Sequence, residues 1–162
     1  MDRVLPAIGI LVVVAVVFTL MVLSWRARRR RQSDLGDLAS PPVDFGVPEF
    51  TDDLLYVATT RADAPLDRIT IAGLGFRARA VVSTARSGIV LDLAGRGPVF
   101  IPKAAIRGVG RATWTIDRVV DGDGLIFVRW MLGTTELDSY LRSTDPDRLV
   151  TALTTLAPET TP

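Results

Sequence analysis

Hydrophobic and polar positions change their rhythm along this chain, and each change marks a boundary. From Val4 to Trp25 no position is charged, and apolar residues follow one another without alternation. At about 1.5 Å of rise per residue, a helix over that run reaches about 33 Å, enough for a hydrocarbon core of about 30 Å. The pattern predicts a transmembrane helix over 4–25, with residues 1–3 outside it. Arg26, Arg28, Arg29, Arg30 and Arg31 follow as a basic collar at 26–31. Lys and Arg mark the cytoplasmic flank of a span, so the expectation is a single-pass cell-membrane protein, N-terminus outside and C-terminal domain cytoplasmic. A cleaved signal peptide is the alternative. It would carry its basic residues ahead of a core of about 7 to 15 residues, the reverse of what is present.

Residues 32–50 contain Asp34, Gly36, Ser40, Pro41, Pro42, Gly46 and Pro48 without a hydrophobic period, which predicts an extended, mobile linker. From residue 51 the texture changes to short runs rich in Val, Ile, Thr and aromatics, broken by Gly, Asp and Pro, the signature of an all-β domain over 51–158. Seven strands are predicted: 54–60, a second that starts weakly at 68–71 and continues over 75–84, then 89–93, 99–102, 111–117, 125–132 and 136–142. In the second, Phe76, Ala78, Ala80 and Val82 alternate with Arg77 and Arg79, so one face is buried and the other wet. Asp121-Gly122-Asp123-Gly124 predicts a hairpin before the sixth strand. That strand is apolar on both faces except at Arg129, which predicts a central position. A closing helix follows, with Asp145 as N-cap, Pro146 in its first turn and an apolar stripe through Leu149, Leu153 and Leu156. Residues 159–162 form a tail.

Charge divides the chain. Six Arg against one Asp give residues 1–31 a net +5, while 13 basic against 17 acidic residues give the rest −4. The domain is therefore not expected to bind nucleic acid. The collar is expected to meet a lipid bilayer and its anionic headgroups. The absence of Cys and His removes disulfides, thiolate chemistry, the commonest general base and the commonest transition-metal ligand. No cofactor is expected.

The order of seven antiparallel strands and one C-terminal amphipathic helix resembles the pleckstrin-homology-like (PH-like) superfold, a bent two-sheet barrel plugged at one end by the helix. The anchor, collar and linker, followed by LYVATTRADAPLDRI, GLGFRARA, RATWTID and ELDSYLRS, resemble actinobacterial single-pass membrane proteins with a cytoplasmic PH-like domain. Members are often called export or transporter proteins. The resemblance implies an N-terminal transmembrane helix plus a mainly-β PH-like domain, with Leu149, Leu153 and Leu156 as the barrel's plug.

Several short patterns carry candidate chemistry. Asp121-x-Asp123-Gly124 opens like a calcium loop, but its fifth and twelfth positions are Leu125 and Leu132, which supply no side-chain oxygen. Gly73-x-Gly75 and Gly108-x-Gly110 read as strand breaks, and Glu136 with Asp138 share one strand face. Phosphoinositide-binding PH domains grip phosphates with an R-x-R on the second strand, where this chain has Arg77 and Arg79. The first-strand lysine has no counterpart here. Trp114 is a core residue or lines a partner groove. The first expectation is a non-enzymatic binding or scaffold module that positions a membrane or cytoplasmic protein at the inner membrane face, through strand edges or the groove beside the C-terminal helix. Anionic-lipid sensing and service as an accessory subunit of a transport or export assembly are the alternatives.

Overall fold

The computed structural model describes residues 4–32, 35, 38–62, 64–112, 114–115, 118–119 and 125–158. It divides the chain into two compact units, Met1–Asp34 and Leu35–Pro162. The first holds helix α1, Val4–Gln32, in which apolar residues form no single stripe. The expected transmembrane helix is not upheld: among the described residues no helix is long and apolar enough to cross a membrane. The orientation read from the collar rested on that span and loses its basis with it.

The second unit is mainly β. Strands β1 (Phe50–Arg61), β2 (Ala64–Arg68), β3 (Ala78–Ala85), β4 (Gly88–Leu93), β5 (Val99–Pro102), β6 (Ile106–Ala112), β7 (Trp114–Thr115), β8 (Arg118–Val119), β9 (Leu125–Leu132) and β10 (Thr135–Arg142) precede helix α2 (Pro146–Thr154). Seven of them form one antiparallel path, β5-β4-β3-β1-β10-β9-β6, with β2 added on β1 and β7–β8 as a separate hairpin. The bend comes from β1. Its first half pairs with β3 and its second with β10, and the register shifts between Tyr56 and Ala58 where the two pairings overlap. This is the expected PH-like order, with α2 closing one end: Asp145 accepts from the Arg148 N–H at the N-cap, and Leu149, Leu153 and Leu156 are buried. The plug assigned from the sequence stands.

A buried polar chain ties the two halves of the sheet together. Trp130 Nε1–H donates to Ser139 Oγ at 2.9 Å, and Tyr56 Oη–H donates to the Leu74 carbonyl at 2.7 Å. Between those ends lie Ser139–Thr59 at 2.6 Å and Thr59–Tyr56 at 2.5 Å. An indole N–H can only donate and a carbonyl can only accept, so both hydroxyl pairs donate in the same sense, from Ser139 through Thr59 to Tyr56. Every member is satisfied, which is the condition under which a buried polar chain is not a liability. Burial also pushes the Tyr56 phenol well above its ordinary 10.0, against the opposing pull of the Thr59 hydrogen bond and Arg96.

Three elements differ from the sequence reading. The segment expected to be a mobile linker over 32–50 takes part in the domain: Leu35 is fully buried in the core, Leu38 packs against it, and the Glu49 N–H donates to the Thr84 carbonyl. The second strand begins at Ala78, so Phe76 is exposed instead of buried. The weak start at 68–71 becomes β2 and a 3-10 turn at Ile71–Gly73. The predicted strand at 111–117 begins five residues earlier, at Ile106, because Gly108 and Gly110 lie inside β6. Gly110 faces Phe127 across the ladder, and a Cβ there would stand 2.6 Å from the ring. The Asp121–Gly124 hairpin lies outside the described residues.

Candidate functional site

The seven-strand path has two ends, and they are built differently. At one end β5 is four residues long, closes on Pro102, which has no N–H to offer, and is preceded by Gly97-Pro98. Phe45 from the preceding segment meets Phe100 edge-on at 6.1 Å, so the outer face of β5 is covered. Residues 38–40 lie beside Gly97, Pro98 and Val99 around a cavity of about 400 Å³.

At the other end β6 is seven residues long and pairs only with β9 among the described residues. Alternation along β6 puts Val109 on the inner side, half-buried, and Gly108 on the outer side, where a Cβ would meet nothing within 4 Å. Helix α2 runs alongside, with half-buried Val150 on the same apolar stripe. An ion pair between Arg111 and Asp147 joins strand to helix. The result, among the described residues, is a row of backbone donors and acceptors with no strand paired to it, an apolar shoulder and a charged rim. These are the parts needed to accept an additional strand.

A family profile described as Bacterial PH domain-like matches residues 35–157. The chain belongs to that bacterial PH domain-like family. The match starts at Leu35, the residue at which the core starts, so the family's unit includes the segment read from sequence as a linker. No curated protein matches the chain.

The remaining candidates fall into place on this PH-like frame. Glu136 and Asp138 are not an acid–base couple, because Arg129 holds both. Its Nε and Nη2 meet the two oxygens of Asp138 at 2.8 and 2.9 Å, and Glu136 lies at 4.0 Å. The Asp138 hydrogen bond raises the guanidinium's pKa, opposed by its own burial. That fork explains how Asp138 can be buried. Burial and then Asp138 raise the pKa of neighbouring Tyr140.

Arg77 and Arg79 are both exposed, Arg77 just ahead of β3 and Arg79 within it. Arg79 lies in an open groove of about 1040 Å³ on the outer face of the sheet, together with Arg142, Asp53 and Asp92. Arg142 comes near Arg79 only because β1 pairs with both β3 and β10. The side chains of Trp114 and of collar residues Arg26, Arg28, Arg29, Arg30 and Arg31 lie outside those described.

Proposed function

We propose that this chain is a non-catalytic PH-like binding module whose β6 edge, walled by α2, receives an extended segment of a protein partner as an added strand. The observation that carries this reading is the inequality of the sheet's ends: one is short, ended by proline and covered on its outer face, and the other is long, unpaired on its outer side among the described residues, and flanked by an apolar helix stripe. Main-chain pairing would supply affinity, and half-buried Val109 on β6 and Val150 on α2 would offer apolar contact to a side chain of the segment. The anionic-lipid reading of Arg77 and Arg79 is not carried further, because Asp53 and Asp92 stand in the same groove as Arg79. The accessory-subunit reading depended on a span and is likewise set aside.

Selection of a displayed random-peptide library on the full-length protein tests the proposal. Extended peptides with an apolar centre should emerge, and Gly108→Lys, which charges the open edge, should weaken them by at least about tenfold. Peptides that bind the Gly108→Lys variant equally well would place the site elsewhere.

A further inference from the structure

Arginines in the folded unit are occupied almost everywhere. Arg61, Arg86, Arg111 and Arg129 hold carboxylates, Arg96 and Arg107 hold backbone carbonyls, and Arg148 lies over the Phe50 ring. Arg68 and Arg77 also have partners. Among the arginines whose side chains are described in this unit, Arg79 and Arg142 alone have none.

These two are not scattered. Strand register places both directly beside Leu55, Arg79 on β3 and Arg142 on β10, about 10 Å apart across two strand spacings. In the next row, two residues along, Asp53 on β1 and Asp92 on β4 flank Val81 in the same way. Neither carboxylate has a partner among the described residues, and no ion pair joins them to the arginines a row away. Half-buried Leu55 and Val81 form the floor between them. The groove thus presents two cations over one apolar residue and two anions over another, with all four charges unspent.

The row spacing states what would fit. Two residues of strand cover about 6.7 Å and one strand spacing about 4.8 Å, so Leu55 on β1 and Val81 on β3 lie about 8 Å apart on the diagonal, which side chains i and i+2 of an extended peptide, about 6.7 Å apart at the backbone, reach by splaying. We propose that this groove binds an extended segment of a partner protein that presents an acidic and a basic side chain two residues apart. The acidic side chain sits over Leu55 between Arg79 and Arg142, and the basic one over Val81 between Asp53 and Asp92. The intervening side chain points to solvent. Bidentate guanidinium–carboxylate bonds hold one end and ammonium–carboxylate pairing the other. A uniformly anionic ligand is repelled by the aspartates, and a uniformly basic one by the arginines. The site is separated from the β6 edge by β9, so each can fail without the other.

Fluorescence anisotropy with full-length protein and end-blocked labelled peptides centred on Glu-Ser-Lys, Glu-Ser-Glu or Lys-Ser-Lys tests this at low salt. Glu-Ser-Lys should bind at least about tenfold more tightly than either like-charged peptide. The double change Arg79→Gln, Arg142→Gln should weaken it about tenfold while leaving the melting temperature in place. Asp53→Asn with Asp92→Asn should move the preference to Glu-Ser-Glu. Equal binding of Glu-Ser-Glu and Glu-Ser-Lys to the native protein, or no binding of any peptide at millimolar concentration, overturns the proposal. So does binding of phosphatidylglycerol vesicles that is lost in the Arg79→Gln, Arg142→Gln variant, because it would make the groove a lipid site.

Discussion

The two ends of the β-sheet face the same problem and solve it oppositely. Strand β5 limits its edge by brevity and by Pro102, and Phe45 against Phe100 covers its outer face. Strand β6 does none of these: it is nearly twice as long, carries Gly108 and Gly110, and among the described residues has no strand on the side away from β9, with α2 nearby. An exposed edge is an aggregation hazard unless something manages it. The comparison teaches that the cover on β5 comes from outside the strands, from the segment at 35–49. The openness of β6 is a property of the strand itself.

The largest expected effect is on the wall of the open end. Leu153→Ala removes a fully buried side chain from α2 and should cost about 2 to 5 kcal/mol, lowering the melting temperature markedly, whereas Thr154→Ala on the exposed side should not. A normal melting temperature for Leu153→Ala would mean that α2 is not a plug. Next comes the segment that precedes β1. Leu35→Ala should cost about 2 to 4 kcal/mol, measured by denaturant unfolding, and deleting residues 1–49 should destabilise the domain where deleting 1–34 does not. Equal stability of the two truncations would return 35–49 to the status of a linker.

A smaller effect concerns the seam between the halves. Tyr56 titrates above its ordinary 10.0 in the folded protein, so its contribution is fully present below pH 10 and is lost as pH rises toward the folded value. Stability should fall above about pH 10, and Tyr56→Phe should flatten that slope while costing about 1 kcal/mol at neutral pH. The smallest effect belongs to the open edge itself: Gly108→Lys should change stability by less than about 0.5 kcal/mol, because the position is open and strand-like.

Most of the fold was legible because period-2 alternation and turn residues report local geometry. The strands at 89–93, 99–102, 125–132 and 136–142 and the Asp145-capped helix are found where the pattern placed them, within a residue or two. The failures share a cause. Leu35 and Leu38 lack a periodic neighbourhood, so nothing local marks them as core. Gly108 and Gly110 read as breaks because the ring of Phe127, which makes Gly110 useful, comes from another strand. The apolar run at 4–25 was judged by its continuity, and among the described residues no helix is long and apolar enough to cross a membrane. Arg79 was singled out, but Arg142 becomes its companion only through the double pairing of β1.

Backbone methylation tests the claim about β6 most directly. A peptide selected on the full-length protein would be resynthesised in two forms, one N-methylated at its odd positions and one at its even positions, and the affinities compared. An added strand turns alternate N–H groups toward the sheet and the others away. One methylated form should therefore lose binding and the other should keep it. Equal affinity of the two forms, whether both are retained or both lost, would contradict strand addition at β6.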